Sequence, residues 1–193
     1  MKNERLRRLT LSAVFLALGL ILPFFTGQLP QIGNMLLPMH YPVLLCGFIC
    51  GWRHGLTLGL FLPLLRSLLF GAPPLMPIAL AMSAELAAYG FLSGFLYEHF
   101  PPRSALGLYG HLLAAMLGGR LLWGAAMLAL MGINAQAFTL KMFVAGAFVL
   151  ALPGAALQLV IIPSAVCAYK SVSARYQYHL VSDQLTRELS DSP

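Results

Sequence analysis

The sequence predicts an all-α membrane protein built from six transmembrane helices. Two global observations carry that prediction: 59% of the 193 residues are hydrophobic while only 9% are charged, and the mean hydropathy is +0.80. The third is local, since the apolar residues fall into six runs separated by short polar or Pro/Gly-rich breaks. A soluble domain of this length carries about a quarter charged residues, so composition excludes one.

The first run, 8–25, follows a basic start and continues past residue 20 through GLILPFF with no A-x-A cleavage site. It reads as a retained helix, not a signal peptide. The second and third runs, 40–52 and 55–70, are short and interrupted only by Trp52, Arg53 and His54. They read as a tight helical hairpin in which Gly47, Gly51, Gly55 and Gly59 let the two backbones approach. The fourth, fifth and sixth runs, 77–97, 105–131 and 143–169, are each long enough for a hydrocarbon core about 30 Å thick. Beyond residue 170 the composition turns polar, which divides the chain into a six-helix transmembrane domain over 1–170 and a short C-terminal tail over 171–193.

Orientation follows from the twelve lysines and arginines. With a cytoplasmic N-terminus, the inner segments hold Lys2, Arg5, Arg7, Arg8, Arg53, Arg103, Lys170, Arg175 and Arg187, and the outer segments hold only Lys141. That asymmetry places both termini in the cytoplasm and the loops at 26–39, 71–76 and 132–142 outside. The formal net charge of +6 therefore orients the protein and meets anionic lipid, and it calls for no nucleic acid. The outer loops are nearly uncharged and rich in Pro, Gly, Asn and Gln (TGQLPQIGN, GAPPLMP, GINAQAF). A loop meant only for solvation carries charge, so these are expected to fold back onto the outer mouth of the bundle; plain turns at headgroup depth are the alternative.

Arg66, Glu85 and Arg120 lie inside predicted helices, and an ionisable group in hydrocarbon costs at least about 2.5–3.5 kcal/mol unless it is paired or faces a cavity. From the helical rise they sit roughly 6–8, 12 and 16 Å from the outer helix ends. Two readings stand. In one, Glu85 and Arg120 are an ion pair pinning two helices while Arg66 snorkels outward. In the other, all three line an outward-facing pocket, the arginines suited to a carboxylate or phosphate and Glu85 to the N–H donors of a ligand. Tyr89 is four residues after Glu85 and Trp123 three after Arg120, so each shares its neighbour's helix face. Gln158, deep in the sixth run, suits a helix-to-helix hydrogen bond or a ligand contact. His40 is flanked by Pro38, expected to keep the preceding chain extended, and Pro42, which fits the first turn of a helix. That puts the imidazole at the outer mouth, as a cap or a ligand contact, and Asn34 in the adjoining loop is a further candidate contact.

Catalytic signatures are missing. GFLSG at 90–94 has one residue too many for the G-x-S-G of a rhomboid-type protease, and the sixth run has no histidine. There is no H-E-x-x-H, P-loop or G-x-G-x-x-G. Cys46, Cys50 and Cys167 make no C-x-x-C pair, and no metal site is expected. The sequence reads as no enzyme but a protein that binds or passes a small solute. A stand-alone proton-coupled secondary transporter, with Glu85 and Arg120 as relay, is one class; the chain is short for it and shows no inverted repeat. A binding subunit that relies on energised partners is the other.

The run PMHYPVLLCGFICGWRHGLTLGLFLPLLRSLLFGAPPL, followed by ALAMSAELAAYGFLSGFLY, closely resembles the substrate-binding S components of energy-coupling factor (ECF) vitamin transporters. SAVFLALG in the first helix adds the family's A-x-x-x-A pattern at Ala13 and Ala17. The resemblance implies an S-component bundle with a lid formed by the first outer loop, here 26–39, over a substrate-binding domain spanning 1–170. It implies a bacterial cell membrane location, a transmembrane coupling protein docked on Ala13 and Ala17, and two cytoplasmic ATPases that hydrolyse ATP, leaving this chain without a cofactor. Substrate contacts would come from Asn34, His40, Arg66, Glu85, Tyr89, Arg120, Trp123 and Gln158. The micronutrient stays open between a pantothenate-like carboxylate and a heteroaromatic such as a queuosine precursor, vitamin B6 or riboflavin.

Overall fold

A computed structural model describes residues 2–25, 35–133 and 139–190. They form α1 (Lys2–Phe25), α2 (His40–Cys50), α3 (Trp52–Phe70), a π-helical turn (Leu75–Ala79) leading into α4 (Leu80–His99), α5 (Ala105–Ile133), a short α6 (Leu140–Val144) with a second π turn (Ala145–Val149), and α7 (Leu152–Ser190). Strands are absent among the described residues. Four helical stretches are long and apolar enough to cross a membrane: Glu4–Phe25, Leu75–His99, Ala105–Met131 and Leu152–Ser173. With only 11 residues, α2 is shorter than a bilayer crossing requires. The six apolar runs thus reappear as helices, with the sixth broken between the second π turn and α7, but a count of six complete crossings does not follow from them. Beyond residue 170, α7 continues without interruption to Ser190.

The expected hairpin is present: Gly51, at φ +98°, turns the chain between α2 and α3 in a conformation that side chains with a Cβ rarely adopt. The glycines do more than join those two helices, since their main partner is α4. A Cβ on Gly90 would run into the Gly55 backbone, and one on Gly59 would run into the backbone at Leu86. Gly47 in turn faces Ser93 and the Gly90 carbonyl, 2.7 Å from where its Cβ would stand. Helices in an apolar solvent gain little from burying apolar surface and associate through close backbone packing, and the α3–α4 contact is the most extensive in the bundle. Around it the larger core joins Val43, Leu44, Leu62, Leu86, Leu112 and Ile162, drawn from α2 to α5 and α7.

Two expectations about the outer segments change. The loop at 71–76 does not fold over the bundle, because Pro74, Leu75 and Met76 are exposed; it is the plain turn, with Gly71 at φ +68° closing α3. Pro38 does not leave the preceding residue extended either. Leu37 has φ +53° and is buried, so the chain enters α2 through a left-handed residue, and the His40 amide donates to the Leu37 carbonyl at 3.0 Å. Of the first outer loop, 26–34 lies outside the described residues, as do 134–138 of the last. The described end of the first loop does pack inward: Leu37 and Met39 are buried, Gly154 meets the backbone of Met35 and Leu36, and the Tyr41 hydroxyl donates to the Gly154 carbonyl at 3.4 Å.

Gly90→Ala is expected to lower stability by about 1–3 kcal/mol through overpacking, whereas Gly110→Ala, whose Cβ would meet nothing within 4 Å, is expected to be neutral or to stabilise by up to about 1 kcal/mol. Thermal unfolding in detergent distinguishes the two; equal effects would mean that α3 and α4 do not touch at Gly90.

Candidate binding site

Three helices deliver ionisable side chains to one buried point. The Arg120 Nη1 of α5 lies 2.7 Å from Glu85 Oε1 of α4, and the His40 Nε2 at the start of α2 lies 3.3 Å from the same oxygen. His40 and Glu85 are 1% and 2% exposed and Arg120 is 8% exposed, so Glu85 and Arg120 form the expected ion pair, with His40 added to it. Pro42 falls in the first turn of α2, where its missing amide leaves no bond unmade.

Tyr89, one turn along α4 and fully buried, sets its ring edge-on to the His40 imidazole with centroids 5.1 Å apart. Sequence reasoning missed the residue that makes room for it. A Cβ on Gly119 would strike the Tyr89 ring and come 3.1 Å from the Glu85 carbonyl, so a glycine is needed there for α5 to bring Arg120 within reach. The GGR run at 118–120 was the available signal. Small residues beside a charged one mark a place where backbones must close on a polar contact.

The other candidates separate. Arg66 is buried, but its Nη1 donates to the Leu20 carbonyl of α1 at 2.6 Å, and its guanidinium lies 5.0 and 5.4 Å from the Phe24 and Phe70 ring centroids. That arginine ties α1 to α3; no contact brings it to Glu85. Trp123 stands one turn beyond Arg120 in a second cluster with Ala81, Met127 and Met131, its ring 6.3 Å from that of Phe143. Gln158 is fully buried on the face of α7 that carries Gly154 and Ile162 inward. Asn34 lies outside the described residues. Ala13 and Ala17 are exposed on α1, beside the exposed Val14 and Leu18.

The chemistry of the centre is nearly charge-neutral. Glu85 answers Arg120, and beside them His40 Nδ1 and the Tyr89 hydroxyl have no hydrogen-bond partner among the described residues; both amide atoms of the buried Gln158 on α7 also lack one. Each such atom costs about 1–3 kcal/mol if left unsatisfied, which in a native protein marks a functional group or a place for water or ligand. Among the described residues, no group of three metal-ligating side chains occurs.

A family profile described as "ECF transporter, substrate-specific component" matches residues 7–166, from α1 into α7. No curated protein and no solved structure matches the chain.

Removing Arg120 alone strands a buried carboxylate, so Arg120→Met is expected to destabilise by about 3–5 kcal/mol. Combining it with Glu85→Leu should restore most of that loss. A thermal-unfolding double-mutant cycle measures the coupling, and additive single effects would show that the two charges do not interact.

Proposed function

The chain belongs to the substrate-specific components of ECF transporters, and we propose that it is the high-affinity binding subunit of an importer for a neutral heteroaromatic micronutrient. It works with a transmembrane coupling protein and two ATPases, with both termini in the cytoplasm and six membrane passes. It is a multi-pass membrane protein and a transporter subunit. The solute class is the finer reading, and the observation behind it is the charge balance of the buried centre. Arg66 is engaged with α1 and Arg120 with Glu85, so neither of the two buried arginines is left to clamp a carboxylate or phosphate at this centre. The groups lacking partners are neutral: an imidazole nitrogen, a phenol and a carboxamide. These suit a flat ring with its own donors and acceptors, held against the Tyr89 and His40 rings. A queuosine precursor, a B6 vitamer or a flavin fits better than pantothenate on this ground.

The described end of the first outer loop packs against α7 beside this centre, which supports the lid reading. The exposure of Ala13 and Ala17 supports their role as the docking face, since neither packs inside the bundle.

Fluorescence titration of the purified chain should give tight binding of one heteroaromatic and none of pantothenate, and Gln158→Leu should weaken that binding by about 10- to 100-fold. Binding of pantothenate alone, abolished in Arg120→Gln, would reverse the assignment. Proton-driven uptake by the isolated chain in liposomes would favour the secondary transporter instead. Ala13→Leu and Ala17→Leu should each leave solute binding intact and stability within about 0.5 kcal/mol, yet abolish uptake in cells that hold the coupling protein and ATPases. Loss of binding in these variants would make the alanines part of the bundle's own packing.

A further inference from the structure

At the opposite end of the bundle from His40 lies a cavity of about 940 Å³ that the binding reading does not use. It is framed by the first turns of α1, which bring Arg5 and Arg8 to the rim, the α2–α3 turn, which brings Arg53, and the end of α4, which brings Glu98 and His99. We propose that this cavity holds the phosphate-bearing headgroup of an anionic phospholipid.

The arginines are differently committed. Arg8 is held in place, with Nη1 3.6 Å from Glu98 Oε1 and 3.5 Å from the Cys50 carbonyl that accepts from it. Arg53 lies over the Trp52 ring at 5.1 Å, which leaves its guanidinium edge available for hydrogen bonding. Arg5 is exposed and has no ion pair among the described residues. The carboxylates of Glu4 and Glu98 also line the cavity, so three guanidiniums face two acids, and one unit of positive charge remains for a headgroup to neutralise. Guanidinium pairs suit phosphate oxygens because their donors form a planar fork.

The walls favour lipid over a free ion. Leu9 lines the cavity and is 62% exposed. From the rim an aromatic strip runs along the bundle: Trp52 meets Phe91 edge-on at 5.6 Å, Phe91 stacks on Phe95 at 5.3 Å, and Phe95 stacks on His99 at 4.2 Å. A phosphate alone has no use for such a strip, whereas an acyl chain leaving the headgroup would lie along it. Basic pockets between helices on the basic side of a membrane protein are where anionic headgroups bind, each cation near an anionic surface contributing about 1 kcal/mol.

The full chain in nanodiscs of phosphatidylcholine with a minor share of phosphatidylglycerol, examined by native mass spectrometry, tests this. Wild type should retain one phosphatidylglycerol under activation that strips phosphatidylcholine. Retention should fall about 30-fold in Arg5→Ala/Arg53→Ala, recover in Arg5→Lys/Arg53→Lys, and stay unchanged in Arg103→Ala, at the same end of the bundle but outside the cavity. A matching melting temperature for all variants shows that the site, not the fold, is altered. Equal retention by the alanine variant, or equal retention of phosphatidylcholine by wild type, overturns the proposal. So does displacement of the retained lipid by millimolar inorganic phosphate, which marks a free-anion site, or unchanged lipid retention with lost assembly on the transporter's other subunits, which marks a protein interface.

Discussion

One carboxylate organises this bundle. Glu85 lies in the second turn of α4, almost fully buried, and that position is tolerable only because Arg120 reaches it from α5 at 2.7 Å while His40 approaches from α2 at 3.3 Å. The desolvation cost of such a pair offsets most of its attraction, so its contribution is to geometry more than to stability. Three helices that could slide along one another in an apolar solvent are brought to one register by a contact that tolerates little displacement. The glycines complete the arrangement. Gly55, Gly59 and Gly90 let α3 and α4 close on each other, and Gly119 lets α5 approach the Glu85 turn. Charge sets where the helices meet, and missing side chains set how near.

How far this was legible in the sequence depends on which coordinate a residue fixes. Depth along a helix reads directly from residue number, which is why Glu85 and Arg120 could be placed at similar heights, whereas His40, expected at the outer mouth, reaches Glu85 as well. Tyr89 followed from its spacing to Glu85. Rotation about the helix axis is harder, because an apolar helix surrounded by apolar neighbours shows no contrast between its faces. Arg66 had a suitable depth and still points to Leu20 of α1, where Phe24 and Phe70 flank it. The glycines of 47–59 announced close packing and were assigned to the hairpin, but much of the packing they allow is against α4. The left-handed Leu37 had no signal at all, since the residue ahead of a proline ordinarily reads as extended.

The two ends of the molecule differ in character. Near His40 the bundle buries a balanced ion pair beside Leu37 and Met39, while the opposite end gathers arginines around an open cavity beside an aromatic strip. Two sites of contrasting chemistry on one small bundle need not compete, because they draw on different termini of the same helices: α2 begins at the first and ends at the second, and α4 carries Glu85 to one and Glu98 to the other.

The fate of Arg66 also has a mechanical side. At one end α1 is pinned by Arg66 through the Leu20 carbonyl, at the other by Arg8 through Glu98 and the Cys50 carbonyl, and between them Gly19 beds against Leu62. A rod held at residues 8 and 20, with Phe15 in the core between them, resists hinging away from the helices it is fastened to. A torque applied to its exposed alanine face would therefore turn the bundle as one rigid piece, with α1 as the handle.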